Sequence, residues 1–388
     1  MTLELSKVSS QVEAMGRALA AQEQAQGSLL RLARRWLSDY AESFPRLGEL
    51  TEYSAARPTE EPPQATYPLP PHPQQVTIVA ADGSAIQPDR HGVALYYLIN
   101  IGSIVFRHGS GERPHTRSLP HIAYERDHLY EGRRLVQGNL LDVRRDTAEL
   151  CELADLAEME KGGPVVALAD GTLSLWVLEG IPPELRQQKV VGYLRHLARL
   201  RARQVAVGAF VSRPRYGEVV GLLHLADLEA RLGRGQLTPE KFAANPLEGL
   251  ADRHLFSFLA PGERSALFVS PPQDKVEYGE HQIHFFYLNV GTDREAEIAR
   301  VETPRWVAGD SASLDLLHAA VYEQCRVTGG YPYVLARAHE LAVIGGQERE
   351  EFEAMITAAM LRNNITPAPS EKARLKQLMT GSRRRPRR

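Results

Sequence analysis

Cysteine is nearly absent from this chain. Only Cys151 and Cys325 occur in 388 residues, far apart and in no Cys-x-x-Cys or Cys/His pairing. Neither a disulfide scaffold nor a zinc site is suggested, and both thiols are expected as small buried apolar groups. Long apolar runs are missing too. No stretch reaches the ~20 residues of a membrane span, and the opening MTLELSKVSSQVEAMGRALA shows no apolar core followed by a cleavage site. We therefore expect a cytoplasmic protein with no membrane partner. Nor is there a strong charge of one sign: the formal net charge is -2. Any contact with a polyanion must then come from basic residues placed locally, because the whole-molecule field would not attract one. No G-x-x-x-x-G-K-[ST] loop occurs, which argues against an ATPase activity in this chain itself.

What is present is ordinary globular material, 43% hydrophobic and 24% charged, enough to bury a sizeable core without disulfides or a structural metal. Leu5, Val8, Val12, Met15 and Leu19 alternate at three- and four-residue spacings, the stripe of a coiled-coil or helix-hairpin seam. Residues 1–55 are expected as a helical arm and a candidate dimer contact. Residues 56–73, ARPTEEPPQATYPLPPHP, are expected as a proline-rich linker, since proline forbids helix and removes strand donors. Residues 74–365 form the main domain, and 366–388, ending SRRRPRR, a basic tail expected to be disordered.

Within the main domain, Val76 to Ala81 reads as a strand stopped by Asp82-Gly83-Ser84, and Val93 to Asn100 as a second strand that Ile101 to Phe106 can extend. A helix from Leu141 to Met159 leads to a strand, Val165 to Ala169, stopped by Asp170-Gly171. The alternation continues with a helix near Glu184 to Arg203, a strand Val205 to Val211 and a helix from Gly217 to Leu232, which implies parallel strands in this half. Two more strands follow, Gln282 to Val290 and Ala299 to Thr303, then three helical segments, Ser313 to Val327, Pro332 to Val343 and Arg349 to Leu361.

The sequences IVAADGS and VALADGT repeat one design: an apolar strand delivering an aspartate where a glycine follows. Asp-Gly is also a common turn signal. Two copies after apolar strands, however, suit carboxylates that converge on a ligand at strand ends. Neighbouring carboxylates repel each other, and divalent cations relieve that repulsion. Oxygen donors select Mg2+ or Mn2+ over zinc. A pair of such ions about 3.5 to 4 Å apart generates hydroxide and stabilises a leaving oxygen in phosphoryl transfer. The segment Arg144 to Glu152 supplies a third carboxylate, with Glu149 and Glu152 both at the edge of the apolar stripe. His339 lies on the packed side of a helix opened by Tyr331-Pro332-Tyr333, where an imidazole can fill the core, ligate a metal or transfer a proton. Arg213 and Arg215 follow a strand and flank Pro214, positions from which guanidinium groups can grip phosphate.

The order AADGS, a helix with a glutamate, LADGTL, VSRPRYGEVV, ARVETPRW and GGYPYVLARAHELAVI resembles the NurA nucleases over about residues 75 to 345. The resemblance implies an α/β, ribonuclease-H-like mixed sheet flanked by helices. It also implies a Mn2+-dependent DNA exonuclease acting from 5′ to 3′, with single-strand endonuclease action as a further expectation, a homodimer, and work in double-strand-break end resection with a HerA-type hexameric ATPase. Asp82 and Asp170 match the family's metal aspartates, His339 its terminal histidine, Tyr331 the tyrosine eight residues before it, and Glu149 the helix carboxylate, with Glu152 its competitor. Many relatives carry lysine where this chain has Arg213. Phosphate binding survives that change, whereas a role needing a neutral amine does not. Two other classes stay open: a catalytically silent DNA clamp docking on a motor, and a different phosphoryl-transfer enzyme.

Overall fold

A computed structural model describes residues 4–175, 178, 180–271, 278–292 and 294–367. The basic segment 368–388, expected to be disordered, lies outside the described residues. In chain order the main elements are α1 (Ser9–Asp39), β1 (Val76–Ile86), β2 (Tyr97–His108), β3 (His115–Ala123), α2 (Asn139–Met159), β4 (Val165–Asp170) and α3 (Pro183–Ala202). They are followed by β5 (Ala206–Val211), α4 (Glu218–Leu232), β6 (Ile283–Asn289), β7 (Ile298–Pro304), α5 (Ser311–Thr328), α6 (Tyr333–Ala342) and α7 (Gly346–Arg362). No described helix is long and apolar enough to cross a membrane.

The chain divides into two compact units, the first comprising Met1–Pro73, Gly171–Ser174 and Ala206–Tyr333, the second Gln74–Asp170, Leu175–Val205 and Val334–Arg388. In the second, β1, β2 and β3 form an antiparallel meander, and β4 returns after helix α2 to lie parallel to β1, with Ala81 paired to Ala169. A meander, a crossover helix and a fourth strand parallel to the first make a ribonuclease-H-like mixed sheet. Its interior positions are apolar without alternation, such as Ile78, Val79, Ala80, Val166, Ala167 and Leu168, because helices cover it. Helix α2 packs on β1, β2 and β4 and also on α3. Strand β3 escapes a reading of hydrophobic runs. It is a mostly exposed strand carrying Pro120, and proline is tolerated where strand donors need no partner.

In the first unit the short strand Arg57–Pro58 pairs with Phe268–Val269, which pairs in turn with β6, and β6, β7 and β5 follow in antiparallel order. Thr66–Tyr67 pairs with Arg264–Ser265, and the Glu61 carboxylate accepts two hydrogen bonds from Arg264 (2.8 and 2.9 Å) and one from the Leu267 N–H (2.7 Å). The segment expected as a linker is thus laid against this sheet. Its prolines exclude helix but suit extended backbone at an edge. The C-terminal part of α1 is also core: Ala33, Trp36 and Leu37 pack with Val219, Leu222 and Leu223 of α4. The N-terminal part holds the exposed stripe Val12, Met15 and Leu19.

Candidate metal centre

The two Asp-Gly pairs fold differently. β4 ends at Asp170, and Gly171 takes a φ of 86°, the left-handed conformation that turns the chain away. β1 does not end at Asp82. It runs on through Gly83 and Ser84 to Ile86, paired with β2 throughout, and Gly83 has no positive φ. That glycine is there for space. A Cβ on it would stand 2.6 Å from Glu149 Oε1 and 2.8 Å from Arg145 Cγ. Lacking a side chain, Gly83 lets the α2 carboxylate approach the strand that carries Asp82.

Glu149 is buried on α2, and its carboxyl is held well above the ordinary carboxylate range, first by burial and then by the negative charges of Asp146, Asp82 and Asp170. Arg145 opposes the shift, with its Nε 3.3 Å from Glu149 Oε1. Asp146, whose carboxyl burial also pushes up, pairs with Arg145 Nη2 at 2.9 Å. Asp146 and Arg145 are not among the candidates read from the sequence. Their spacing of three and four residues from Glu149 on one helix face was the available signal. Glu152 is placed elsewhere: it accepts from Ser103 Oγ (2.6 Å) and from the Arg117 guanidinium (2.6 and 2.7 Å). One turn of helix therefore separates Glu149, crowded by other carboxylates with Arg145 as its counter-charge, from Glu152, held in the Arg117 fork.

The antiparallel register puts Asp82 opposite Gly102, and Gly102 is where α6 docks. A Cβ there would lie 2.5 Å from Ala342 N and 2.7 Å from Leu341 C, so α6 can lie on the strand only because the side chain is missing. The free carbonyls at the end of α6 are capped from the sheet: Asn100 Nδ2 donates to Leu341 O and Ala342 O (both 3.0 Å), and Ser84 Oγ donates to Ala342 O (2.5 Å). Held this way, His339 brings Nδ1 to 2.7 Å from Asp82 Oδ2, while Asp82 Oδ1 accepts the Gly83 N–H at 2.8 Å. The His339 side chain is 60% exposed, a ring open to solvent and not a core filler.

Asp82, Glu149, Asp170 and His339 all belong to the second unit, whereas Tyr331, Arg213 and Arg215 belong to the first. Tyr331 packs edge-on against Phe210, ring centroids 5.5 Å apart. Arg213 forms an exposed ion pair with Glu297 at 3.0 Å, and Arg215 is exposed.

Among the described residues no three His, Cys, Asp or Glu stand in a ready metal-holding group. The side chains have instead taken protein partners, Asp82 the imidazole of His339 and Glu149 the guanidinium of Arg145. The donor set still fits a hard divalent cation. It comprises Glu149, a carboxyl that burial and neighbouring negative charge push up, the carboxylates of Asp82 and Asp170, and one imidazole.

A family model described as the NurA domain matches residues 76–344. No curated protein matches. Among solved structures, the NurA nuclease from Sulfolobus solfataricus is similar at 13% identity with a TM-score of 0.48, covering 77% of this chain and 88% of its own. A NurA bound to dAMP and manganese is similar at 11% identity with a TM-score of 0.41, covering 92% of this chain and 98% of its own. A type 1 ribonuclease H with the type 2 active-site motif reaches a TM-score of 0.21 at 15% identity, covering 46% of this chain and 82% of its own.

Proposed function

The chain belongs to the NurA family of nucleases, and from that premise we propose that it is a Mn2+-dependent deoxyribonuclease whose domain spans residues 74–365. Asp82, Glu149, Asp170 and His339 would hold the metal, Mn2+ or Mg2+ and two ions in number. The observation that carries this reading is Glu149, brought over Gly83 to the strand that carries Asp82, with its carboxyl pushed up first by burial and then by Asp146, Asp82 and Asp170 against the opposing charge of Arg145. Folding pushes these groups together at a cost, and a bound cation recovers it.

When bound, the metal supplies a nucleophile at neutral pH and charge stabilisation for in-line displacement at phosphorus. The chain's own residues do the rest. Asp82 and Asp170 each follow the last parallel pair of β1 and β4, Ala81 with Ala169, and would both offer oxygen to the ion. Glu149 enters over Gly83 from the helix. His339, whose Nδ1 is hydrogen-bonded to Asp82, would supply the nitrogen ligand. Arg213 and Arg215 bind the DNA backbone, and Tyr331 serves the reaction through its hydroxyl. The biological setting we propose is 5′ to 3′ resection of double-strand-break ends in the cytoplasm, by a homodimer working with a HerA-type hexameric ATPase.

The test is cleavage of 5′- and 3′-labelled DNA with and without Mn2+. Wild-type protein should cut only with metal, and label position should give the polarity. Asp82→Ala and Asp170→Ala should each abolish cutting while the melting midpoint holds or rises, because a repelling charge is removed along with the ligand. Wild-type turnover in either variant would sink the assignment. A wild-type chain that binds DNA but never cuts it would instead be a clamp.

A further inference from the structure

Arg213 follows β5 with a φ of 46°, in the left-handed region, where only two other non-glycine residues lie among the described residues. That conformation costs about 1 kcal/mol or more, so neighbours must hold it. Arg253 does so, donating from Nη1 to the Arg213 carbonyl at 3.1 Å. Arg253 Nε also donates to His254 Nε2 at 3.3 Å, which leaves the ring proton of a neutral imidazole on Nδ1. That nitrogen finds no hydrogen-bond partner among the described residues. Arg213 itself closes a fork on Glu297, Nε to Oε1 at 3.0 Å and Nη2 to Oε2 at 3.4 Å.

These groups border one hollow of about 270 Å3, lined by Arg213, Arg253, His254, Ser257 and Glu297 among others. A third guanidinium is anchored at the hollow, because Arg34 Nη2 donates to Ser257 Oγ at 3.0 Å. Arg213 and Arg253 line the hollow and Arg34 reaches its Ser257; against these three guanidiniums stand Glu297 and, acting on Arg213 from nearby, Glu295, a local excess of positive charge on a chain whose net charge is -2. The Arg213 side chain is 74% exposed, so its pair with Glu297 is worth little and exchanges easily. A phosphodiester presents the same pair of oxygens to a guanidinium fork as a carboxylate does.

We propose that this hollow is a phosphate subsite for a DNA strand: Arg213 and Arg253 grip one backbone phosphodiester beside Ser257 and His254, and Glu297 occupies Arg213 until the strand arrives. The identity of the ligand as DNA rests on the nuclease reading above. The subsite itself does not depend on turnover.

Binding of the full chain to a labelled oligothymidylate, with Ca2+ in place of Mn2+, is measured across KCl concentrations. Arg253→Ala should weaken binding about tenfold, the scale of a lost hydrogen bond to a charged group. It should also flatten the plot of log K against log salt by about 0.7, the single-strand value for one phosphate contact. Glu297→Gln should tighten binding by up to about fivefold at low salt. Ser257→Asp, at an exposed position, should weaken it by setting a second carboxylate in the hollow. These last two variants carry the test if Arg253→Ala lowers the melting midpoint. Wild-type affinity and slope in both Glu297→Gln and Ser257→Asp would overturn the proposal. Release of the strand by inorganic phosphate, with no change of slope in any variant, would assign the hollow to a free anion and overturn it as well. A chain that cuts DNA with these variants unchanged defeats the subsite alone. A chain that binds as expected but never cuts defeats the nuclease reading alone.

Discussion

Glu149 and Glu152 share a helix, a residue type and a position beside the apolar stripe, yet their surroundings differ. Burial and three carboxylates push Glu149 up, while Glu152 has Ser103 and the Arg117 fork. Glu149→Gln should therefore abolish turnover and leave the unfolding midpoint unchanged or higher. Glu152→Gln should retain turnover but lose about 1 to 3 kcal/mol, because it strands the partly buried Arg117. Paired urea melts and cleavage assays separate the two, and reversed phenotypes would move the ligand to Glu152. A second residue, His318, ties stability to pH. It is buried on α5 with Nε2 donating to Gly262 O at 2.7 Å, and burial pushes its pKa down to about 4. Between that value and the ordinary 6.5 the unfolded chain binds more protons than the folded one. Stability is then fully present above 6.5 and falls as pH drops towards 4, by roughly 3 kcal/mol at most. Urea midpoints measured across that window should fall less steeply in His318→Gln, and equal slopes would refute the assignment.

At the scale of elements, two glycines decide how helices meet the ribonuclease-H-like sheet. Gly83 admits Glu149 from α2, and Gly102 admits the backbone of α6, which carries His339 to Asp82. Gly102→Ala should push α6 off β2 and break the Asp82–His339 contact. We expect a stability loss of about 1 to 3 kcal/mol, the range of an overpacked core site, together with loss of metal-dependent cleavage. A variant with normal turnover would show that α6 need not lie so close. The strands and helices of this region were legible as apolar runs and helical spacings, to within a few residues for α2, β4, α3, β5 and α4. Continuation of β1 through Asp82-Gly83-Ser84 was not legible, because Asp-Gly reads as a turn unless the packing neighbour that needs the glycine is known.

At the scale of the molecule, α1 has two parts with different surroundings. Its C-terminal part fills the core around Trp36 and Leu37, so a chain starting near Gln74 would lose part of the first unit along with any dimer contact. The informative cut falls near Gln26, after the exposed stripe of Val12, Met15 and Leu19 and before the packed residues begin at Leu29. In line with the proposed homodimer, removing the residues before Gln26 should leave the melting midpoint unchanged and lower the sedimentation mass from dimer to monomer. An unchanged mass would place the principal dimer contact elsewhere.

The sequence by itself determined the family, through the order and spacing of its short motifs, and the alternation of strand and helix, through local periodicity. It also determined the candidate carboxylates, because an aspartate repeated after two apolar strands is a local pattern. Only the tertiary structure decided which glutamate of α2 faces the aspartates, since both lie within one helical turn and the choice depends on what stands opposite each. The same holds for the proline-rich segment, whose prolines exclude helix locally but say nothing of the sheet edge that receives it. The hollow around Arg213 joins Arg34, Arg213, Arg253 and Glu297, residues far apart in the chain that only folding brings together.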